Sequence, residues 1–389
     1  MRSSPGHGVI LPVLIAIHSH AQHGAYSGAS AGTGSAHMDR RQFLSSATIA
    51  AMGLAAHHSY AQATRIRAAI IGIDHSHAID ILKVLQTSTD FELVGVCEPD
   101  DAIRAVYAAA PELAGVRWLT MDEVLKDPTI AMVAIECAVP RLLGFAKEAV
   151  YAGKHIHLDK PAGTSLTEWQ EILQQSFSKG LLLQMGYMFR YNPGFDLIRR
   201  AVKEGWLGTI HTINASMPTG IDNDKRTRNA HHPGGMMLEL GCHLIDVICL
   251  MMGPPQKVTP FLHHDADIVD LLNDNCLAVF EYDSAIATID TSAMEMDAFP
   301  TRRFKISGTL GKMILEPIEP PVLRMWLKEP KGEYPAGTQR IELPDLPRHV
   351  ADFADFAKCI RGEKKFDYTV EHDLNTQRAI LLASGVTGI

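Results

Sequence analysis

The chain has 389 residues, of which 46% are hydrophobic and 21% are charged, with 36 Lys and Arg against 44 Asp and Glu. This composition excludes a disordered chain, a collagen-like repeat and a small disulfide scaffold, and the length indicates two globular domains of about 150 residues each. The net charge is −8 and no cluster of Lys and Arg occurs, which argues against a nucleic-acid or anionic-membrane partner. We therefore expect a small-molecule ligand.

The cysteines have no C-x-x-C pattern and no zinc-site spacing, and most lie inside apolar runs, which predicts buried thiols. They are Cys97, Cys137, Cys242, Cys249, Cys276 and Cys359.

Residues 1–63 are predicted to be an export leader. Asp39 to Leu44 read D-R-R-Q-F-L, and a weakly apolar stretch (45–56) and Ala61-Gln62-Ala63 follow. This order is typical of a twin-arginine signal with an A-x-A cleavage site; a chance Arg-Arg pair is the alternative. The apolar stretch is shorter than the roughly 20 residues that span a bilayer. The pattern predicts a periplasmic or otherwise exported protein without a stable membrane span, translated from Met1 or from Met38.

Residues 64–187 alternate β-branched runs with helical patterns, which predicts an α/β, Rossmann-like domain with a doubly wound parallel sheet. The strand-like runs are Ile66 to Ile73, Phe91 to Cys97, Ile130 to Cys137, Lys154 to Leu158 and Leu181 to Tyr187. In such sheets ligands bind at the carboxyl ends of the strands.

Residues 188–389 predict an α+β domain with an open, mostly antiparallel sheet. Its segments are a strand from Thr209 to Met217, an apolar helix from Met236 to Met252, period-two runs at 275–282 and 285–291, and closing helices at 347–361 and 370–384.

The first strand ends in Gly72-Ile73-Asp74-His75-Ser76-His77, where a dinucleotide fold carries G-x-G-x-x-G. Only the first glycine is kept. Asp74 stands where the backbone meets a pyrophosphate, which is repulsive unless the carboxylate is protonated or bridged by a cation. Glu98, 26 residues after Gly72, suits a ribose hydroxyl of NAD and disfavours a 2′-phosphate.

His155, His157 and Asp159 alternate along one strand and therefore share a face. Lys160 and Pro161 follow at its carboxyl end, where a lysine projects into the crevice. With His75 and His77 nearby a metal cluster is conceivable, but hydrogen-bonded histidines are the commoner arrangement, and we predict no metal.

The helix from Met236 to Met252 is nearly apolar, yet Glu239, His243 and Asp246 recur at i, i+4 and i+7. This spacing predicts one polar stripe, and buried ionisable groups are costly unless they are paired or functional. A histidine oriented by a carboxylate one turn away suits a general base. His231 and His232, at the helix entry, line the same pocket or cap the turn.

Asp159-Lys160-Pro161 and the helix motif Glu239, Gly241, His243 and Asp246 make the chain from about Arg65 to Gly385 resemble the glucose-fructose oxidoreductase, inositol dehydrogenase and rhizopine-catabolism (Gfo/Idh/MocA) family. The resemblance implies a nucleotide-binding domain followed by an α/β domain whose open sheet often forms oligomer contacts. It also implies that Lys160 hydrogen-bonds the reacting hydroxyl, that His243 takes its proton, and that Glu239 is a polar partner or substrate ligand.

The resemblance extends to the binding residues. Asp159 and Pro161 are then expected on the cofactor side with Lys160, and Arg190, His232 and Asp246 on the substrate side. The departures fall on the cofactor side: the Thr-Pro-Asn of the family stands here as Cys137-Ala138-Val139, its following His as Leu142, and a later Asn as Met188.

The first functional hypothesis is an exported NAD-dependent oxidoreductase of a sugar, cyclitol or glycoside hydroxyl, with NAD loaded before export and kept bound. The second is a lyase or hydrolase that cleaves a glycoside by transient oxidation. The third is a carbohydrate-binding protein that has lost the nucleotide; the altered glycine motif favours it, and the kept Lys160 and His243 oppose it.

Overall fold

The computed structural model describes residues 64–389; the predicted twin-arginine leader lies outside this range. The first sheet has five parallel strands in the order β2-β1-β3-β4-β5. They are β1 (Ile66–Ile71), β2 (Phe91–Cys97), β3 (Met132–Ile135), β4 (His155–Leu158) and β5 (Leu183–Met185). The expected doubly wound parallel sheet is confirmed.

Helices cover both faces of this sheet because successive residues of a buried strand point to opposite sides. Ala68 and Ile70 face one apolar cluster, and Ala69 and Ile71 face the other. The helices of this part of the chain are α1 (Ala78–Thr87), α2 (Asp101–Tyr107), α3 (Met121–Lys126), α4 (Val139–Tyr151) and α5 (Leu166–Ser178).

The second sheet has eight strands in the order β13-β12-β11-β10-β6-β9-β8-β7. Only β6 and β9 pair in parallel, so the expected mostly antiparallel sheet is confirmed. The strands are β6 (Ile210–Ser216), β7 (Lys257–His263), β8 (Asn275–Glu281), β9 (Ile286–Ser292), β10 (Arg303–Gly308), β11 (Gly311–Leu315), β12 (Leu323–Leu327) and β13 (Gly337–Ile341).

Five helices accompany the second sheet: α6 (Pro193–Lys203), α7 (Asn223–Asn229), α8 (Cys242–Met252), α9 (Val350–Ile360) and α10 (Val370–Ala383). Helix α9 returns to the first sheet, where Phe353 packs on Phe91 with ring centroids 5.8 Å apart. Within residues 64–389, no helix is both long and apolar enough to cross a bilayer.

The predicted single helix from Met236 to Met252 is instead a π-helical turn, Met237–Gly241, followed by α8. Such turns insert an extra residue and rotate the side chains that precede them, and they are frequent at functional sites. The expected single stripe is therefore divided: Glu239 and His243 line a cleft, whereas Asp246 does not.

Gly72 ends β1 with φ +81°, and a Cβ there would lie 2.5 Å from the Cβ of Cys137. We expect Gly72→Ala to lower the free energy of unfolding by about 1–3 kcal/mol, because both the backbone conformation and the space exclude a side chain. Gly144→Ala is the matched control, since that glycine lies within α4 with nothing within 4 Å of the added Cβ. It should stabilise by up to about 1 kcal/mol. Equal thermal melts for the two variants would contradict this account of the turn.

Candidate active site

A cleft of about 620 Å³ lies where the carboxyl ends of the parallel strands meet α7, the π-helical turn and α8. Seven of the predicted site residues line it: Asp74, His75, His77, Lys160, His232, Glu239 and His243. Six others do not: Gly72, Glu98, Asp159, Pro161, Arg190 and Asp246. The structure thus brings together the residues expected at the reacting centre and separates several that were expected to bind the ligands.

Lys160 and Glu239 form a buried ion pair that joins the two domains. The Lys160 Nζ donates to Glu239 Oε1 at 2.9 Å and to the Glu239 carbonyl oxygen at 3.0 Å. Burial opposes the charge on Lys160, but Glu239 outweighs it and raises the pKa of the ammonium. Lys160 also holds the pKa of Glu239 well below its usual range, despite the burial of that carboxylate. Since an ammonium has three donors, one N–H of Lys160 is left for a ligand.

His243 is only 1% exposed, and burial, with Lys160 nearby, holds the pKa of its imidazole well below the usual range. The ring is therefore neutral at pH 7. The expectation that a carboxylate orients this ring is wrong for the described residues, because His243 Nδ1 is buried without a hydrogen-bond partner. Glu239 is held by Lys160 and Asp246 by Arg190.

Asp159 contacts both histidines of the turn between β1 and α1. Its carboxylate contacts His75 Nδ1 and lies 3.0 Å from His77 Nδ1, and it accepts the backbone N–H of Lys160 at 2.8 Å. Burial opposes protonation of His75, but Asp159 outweighs it and raises the pKa of His75 to about 9, whereas burial lowers the pKa of His77 to about 4.

These three residues also place donor atoms within 4.8 Å of one another, a spacing that a metal ion could use. The Asp159 carboxylate already satisfies one ring nitrogen of each histidine, so the prediction of no metal stays a prediction.

The cofactor side meets several requirements of a dinucleotide. Gly72 keeps the close turn, α1 begins without a side-chain cap, and an open helix N-terminus suits a pyrophosphate. Glu98 follows β2 as expected, but it is 1% exposed and paired with Arg141, so its carboxylate is not free to meet a ribose hydroxyl. Asp74 accepts the N–H of Ala138 at 3.0 Å and lies 3.1 Å from Arg141. The Arg141 guanidinium therefore compensates the carboxylate that was expected to repel a pyrophosphate. These residues fit NAD.

Arg190 and Asp246, which we expected to bind substrate, are structural instead. The Arg190 guanidinium makes two hydrogen bonds to Asp246, at 2.9 and 2.7 Å, and one to Asp373 at 2.7 Å. Its central carbon lies 4.0 Å from the Tyr368 ring centroid. Both residues are at most 1% exposed, so they tie α8 to α10 behind the cleft. The sequence could not exclude this role, because Asp373 lies 183 residues from Arg190.

Sequence reasoning missed the basic wall of the cleft, formed by Lys225, Arg228, Arg302 and Arg348. It also missed Arg141, which neutralises Asp74 and Glu98. The sequence offered only a weak indication of Arg141, namely its position in the first turn of α4, just after the altered Cys137-Ala138-Val139. The other four come from three separate loops and helices of the second domain.

Two family profiles match the chain. Residues 66–187 match the oxidoreductase family with an NAD-binding Rossmann fold, and residues 195–314 match the GFO/IDH/MocA C-terminal domain. The first match defines an NAD-binding oxidoreductase. More particularly, the chain carries both domains of the Gfo/Idh/MocA family, in the family order. This favours an enzyme over a binding protein without nucleotide.

Among similar proteins, trans-1,2-dihydrobenzene-1,2-diol dehydrogenase of Sus scrofa is 23% identical over 249 residues, 63% of this chain and 72% of the relative. The structure of UDP-N-acetylglucosamine 3-dehydrogenase GnnA from Acidithiobacillus ferrooxidans matches with TM-score 0.68 and 18% identity, over 83% of this chain and 97% of that one. GenD2 from gentamicin A biosynthesis, in complex with NAD, matches with TM-score 0.67 and 20% identity, over 84% and 95%.

Because Arg190 and Asp246 pair inside the protein, Asp246→Asn should lower the free energy of unfolding by about 1.5–3 kcal/mol, since it weakens the charge-assisted hydrogen bonds to Arg190 while Asp373 still neutralises the guanidinium. It should leave the affinity for NAD unchanged. Asp122→Asn is the control, since both side chains of the Asp122–Lys126 pair are exposed and the pair should contribute less than about 1 kcal/mol. Denaturant unfolding and calorimetric titration with NAD measure both quantities; a stable Asp246→Asn protein would return Asp246 to the ligand-binding residues.

The bridge between Asp74 and Arg141 predicts the response of NAD binding to charge removal. Asp74→Asn keeps an acceptor for the Ala138 N–H and should change the dissociation constant of NAD by less than about threefold, since the carboxylate is already compensated. Arg141→Met exposes Asp74 and Glu98 to the phosphates and should weaken NAD binding by at least about tenfold. Tighter NAD binding by Asp74→Asn would show instead that Asp74 acts as an uncompensated charge.

Proposed function

We propose that the protein oxidises, with NAD, a hydroxyl group of a sugar, cyclitol or glycoside, and that Lys160 and His243 carry the proton chemistry. The observation that carries the proposal is a charged lysine and a neutral histidine lining one cleft beside the dinucleotide-binding turn. The relatives named above include dehydrogenases of a diol and of a nucleotide-linked sugar, which supports this class of substrate.

Lys160 holds the reacting hydroxyl. Two of its donors are fixed by Glu239, so the third N–H has a defined direction and donates to the hydroxyl oxygen. The ammonium stabilises negative charge that develops on this oxygen, and in a buried site such stabilisation is stronger than in water. Glu239 positions Lys160 and keeps it protonated.

His243 accepts the hydroxyl proton. Its Nδ1 is buried, so Nε2 is the nitrogen that can serve the cleft, with the ring hydrogen on Nδ1. A neutral imidazole can accept a proton without first losing one. When bound, NAD supplies the acceptor for the hydride of the same carbon, so oxidation places the proton on His243 and leaves a carbonyl compound.

The Arg40-Arg41 motif supports the further proposal that the folded protein is exported with NAD already bound. The open sheet also supports a homo-oligomer, because Phe261, Leu277, Ile286 and Trp326 expose apolar side chains on its strands.

Lys160→Met and His243→Ala should each lower kcat by about 10²–10⁴-fold, the range for loss of one acid–base or electrostatic group, while NAD still binds. The assay is NADH formation at 340 nm with a panel of sugars, cyclitols and glycosides. Lys154→Met is the matched control: this lysine is buried but donates to the Asp127 and Ile130 carbonyls, away from the cleft. Full turnover in both site variants would overturn the assignment. Glycoside cleavage without net NADH would replace simple oxidation by the transient-oxidation reaction.

A further inference from the structure

We propose that the substrate of this cleft carries an anionic group, a carboxylate or a phosphate, which binds Arg302 on the wall formed by the second domain. The inference rests on the proposed function, since it names the substrate class of the same site.

Arg302 is a buried cation without an acidic partner. It is 4% exposed, its Nε donates to the Pro218 carbonyl at 3.0 Å, and its central carbon lies 3.9 Å from the Phe299 ring centroid. Among residues 64–389, no carboxylate pairs with Arg302, and no hydrogen bond is made by its two terminal nitrogens. An uncompensated buried charge is costly, and this one borders the cleft.

The neighbouring charges do not neutralise it. Glu319 is the acid whose charge acts on Arg302, but its carboxylate is already engaged. It makes a bidentate pair with Arg348, including a 2.6 Å hydrogen bond from the Arg348 Nε. Burial and the positive charge of Arg348 lower the pKa of Arg302 to about 10, although Glu319 opposes them. Arg302 is still charged at pH 7, and a bound anion would compensate the charge that burial and Arg348 disfavour.

The cleft is lined by more basic than acidic side chains, the opposite of the chain as a whole. Five Lys or Arg line it against three Asp or Glu, whereas the chain has a net charge of −8. Lys225 and Arg228 are exposed on α7, and neither takes part in an ion pair within the described range. A cleft that concentrates one sign of charge attracts ligands of the opposite sign, so the positive wall favours an acidic substrate over a neutral one.

The positive wall and the dinucleotide turn come from different domains and face the same cleft. Arg302 and Phe299 belong to the second domain, while Gly72, Asp74 and Glu98 belong to the first. A planar guanidinium binds a carboxylate or phosphate through two parallel hydrogen bonds, and Phe299, half exposed at the cleft, offers a ring beside it. The alternative anion is the pyrophosphate of NAD itself, which the test below distinguishes.

The test is calorimetric titration of the NAD-loaded protein with D-glucuronate, D-glucose and sulfate. We expect glucuronate to bind at least about tenfold more tightly than glucose, as charge-assisted bidentate contacts require. Arg302→Met should remove this preference, and Arg302→Lys should keep part of it. Arg303→Met is the matched control, because Arg303 is the adjacent arginine and is exposed on β10; it should change nothing.

Equal affinities for glucuronate and glucose, with no sulfate binding, would overturn the inference. So would an equal loss of both sugars in Arg302→Met. Weaker NAD binding by Arg302→Met, with unchanged sugar binding, would assign the guanidinium to the cofactor. The proposed function has its own contrary result, which is no NAD binding or no NADH formation with any hydroxyl compound. A preference for glucuronate over glucose would still be measurable after that result.

Discussion

The ion pair between Lys160 and Glu239 is the contact on which the rest of the site depends. It joins the end of a parallel strand to the π-helical turn of the second domain, and both partners are largely shielded from water. Breaking one partner of such a pair leaves a buried charge, which is far more costly than the pair is stabilising. The same pair keeps Lys160 charged, and this charge contributes to the low pKa of His243.

Asp159 supports this arrangement from the first domain. Its carboxylate fixes His75 and His77 and accepts the Lys160 backbone N–H, so the turn that replaces two glycines of the usual motif is held by hydrogen bonds. Arg141 then compensates the two other acids of the cofactor side. The altered glycine motif is thus accompanied by a local charge balance, which explains how Asp74 and a pyrophosphate can share one edge of the sheet.

The sequence predicted both sheets, since hydrophobic periodicity and strand–helix alternation are local properties. Lys160 and His243 were also predictable, because a lysine at a strand end and a histidine in an apolar helix stand out against their neighbours. The division of the stripe formed by Glu239, His243 and Asp246 could not be predicted, because a π-helical turn has the same residue composition as an α-helix. Arg190 could be assigned to the interior only from the structure, because its partners lie 56 and 183 residues away. Arg302 was missed for the same reason.

The most direct test of the account is to denature protein purified after expression from the full chain and to identify the released nucleotide by ultraviolet absorbance and mass spectrometry, together with titration of the nucleotide-free protein with NAD and NADP. The account predicts stoichiometric NAD or NADH, or tight rebinding of NAD. Absence of any nucleotide, with no binding of either dinucleotide, would contradict it.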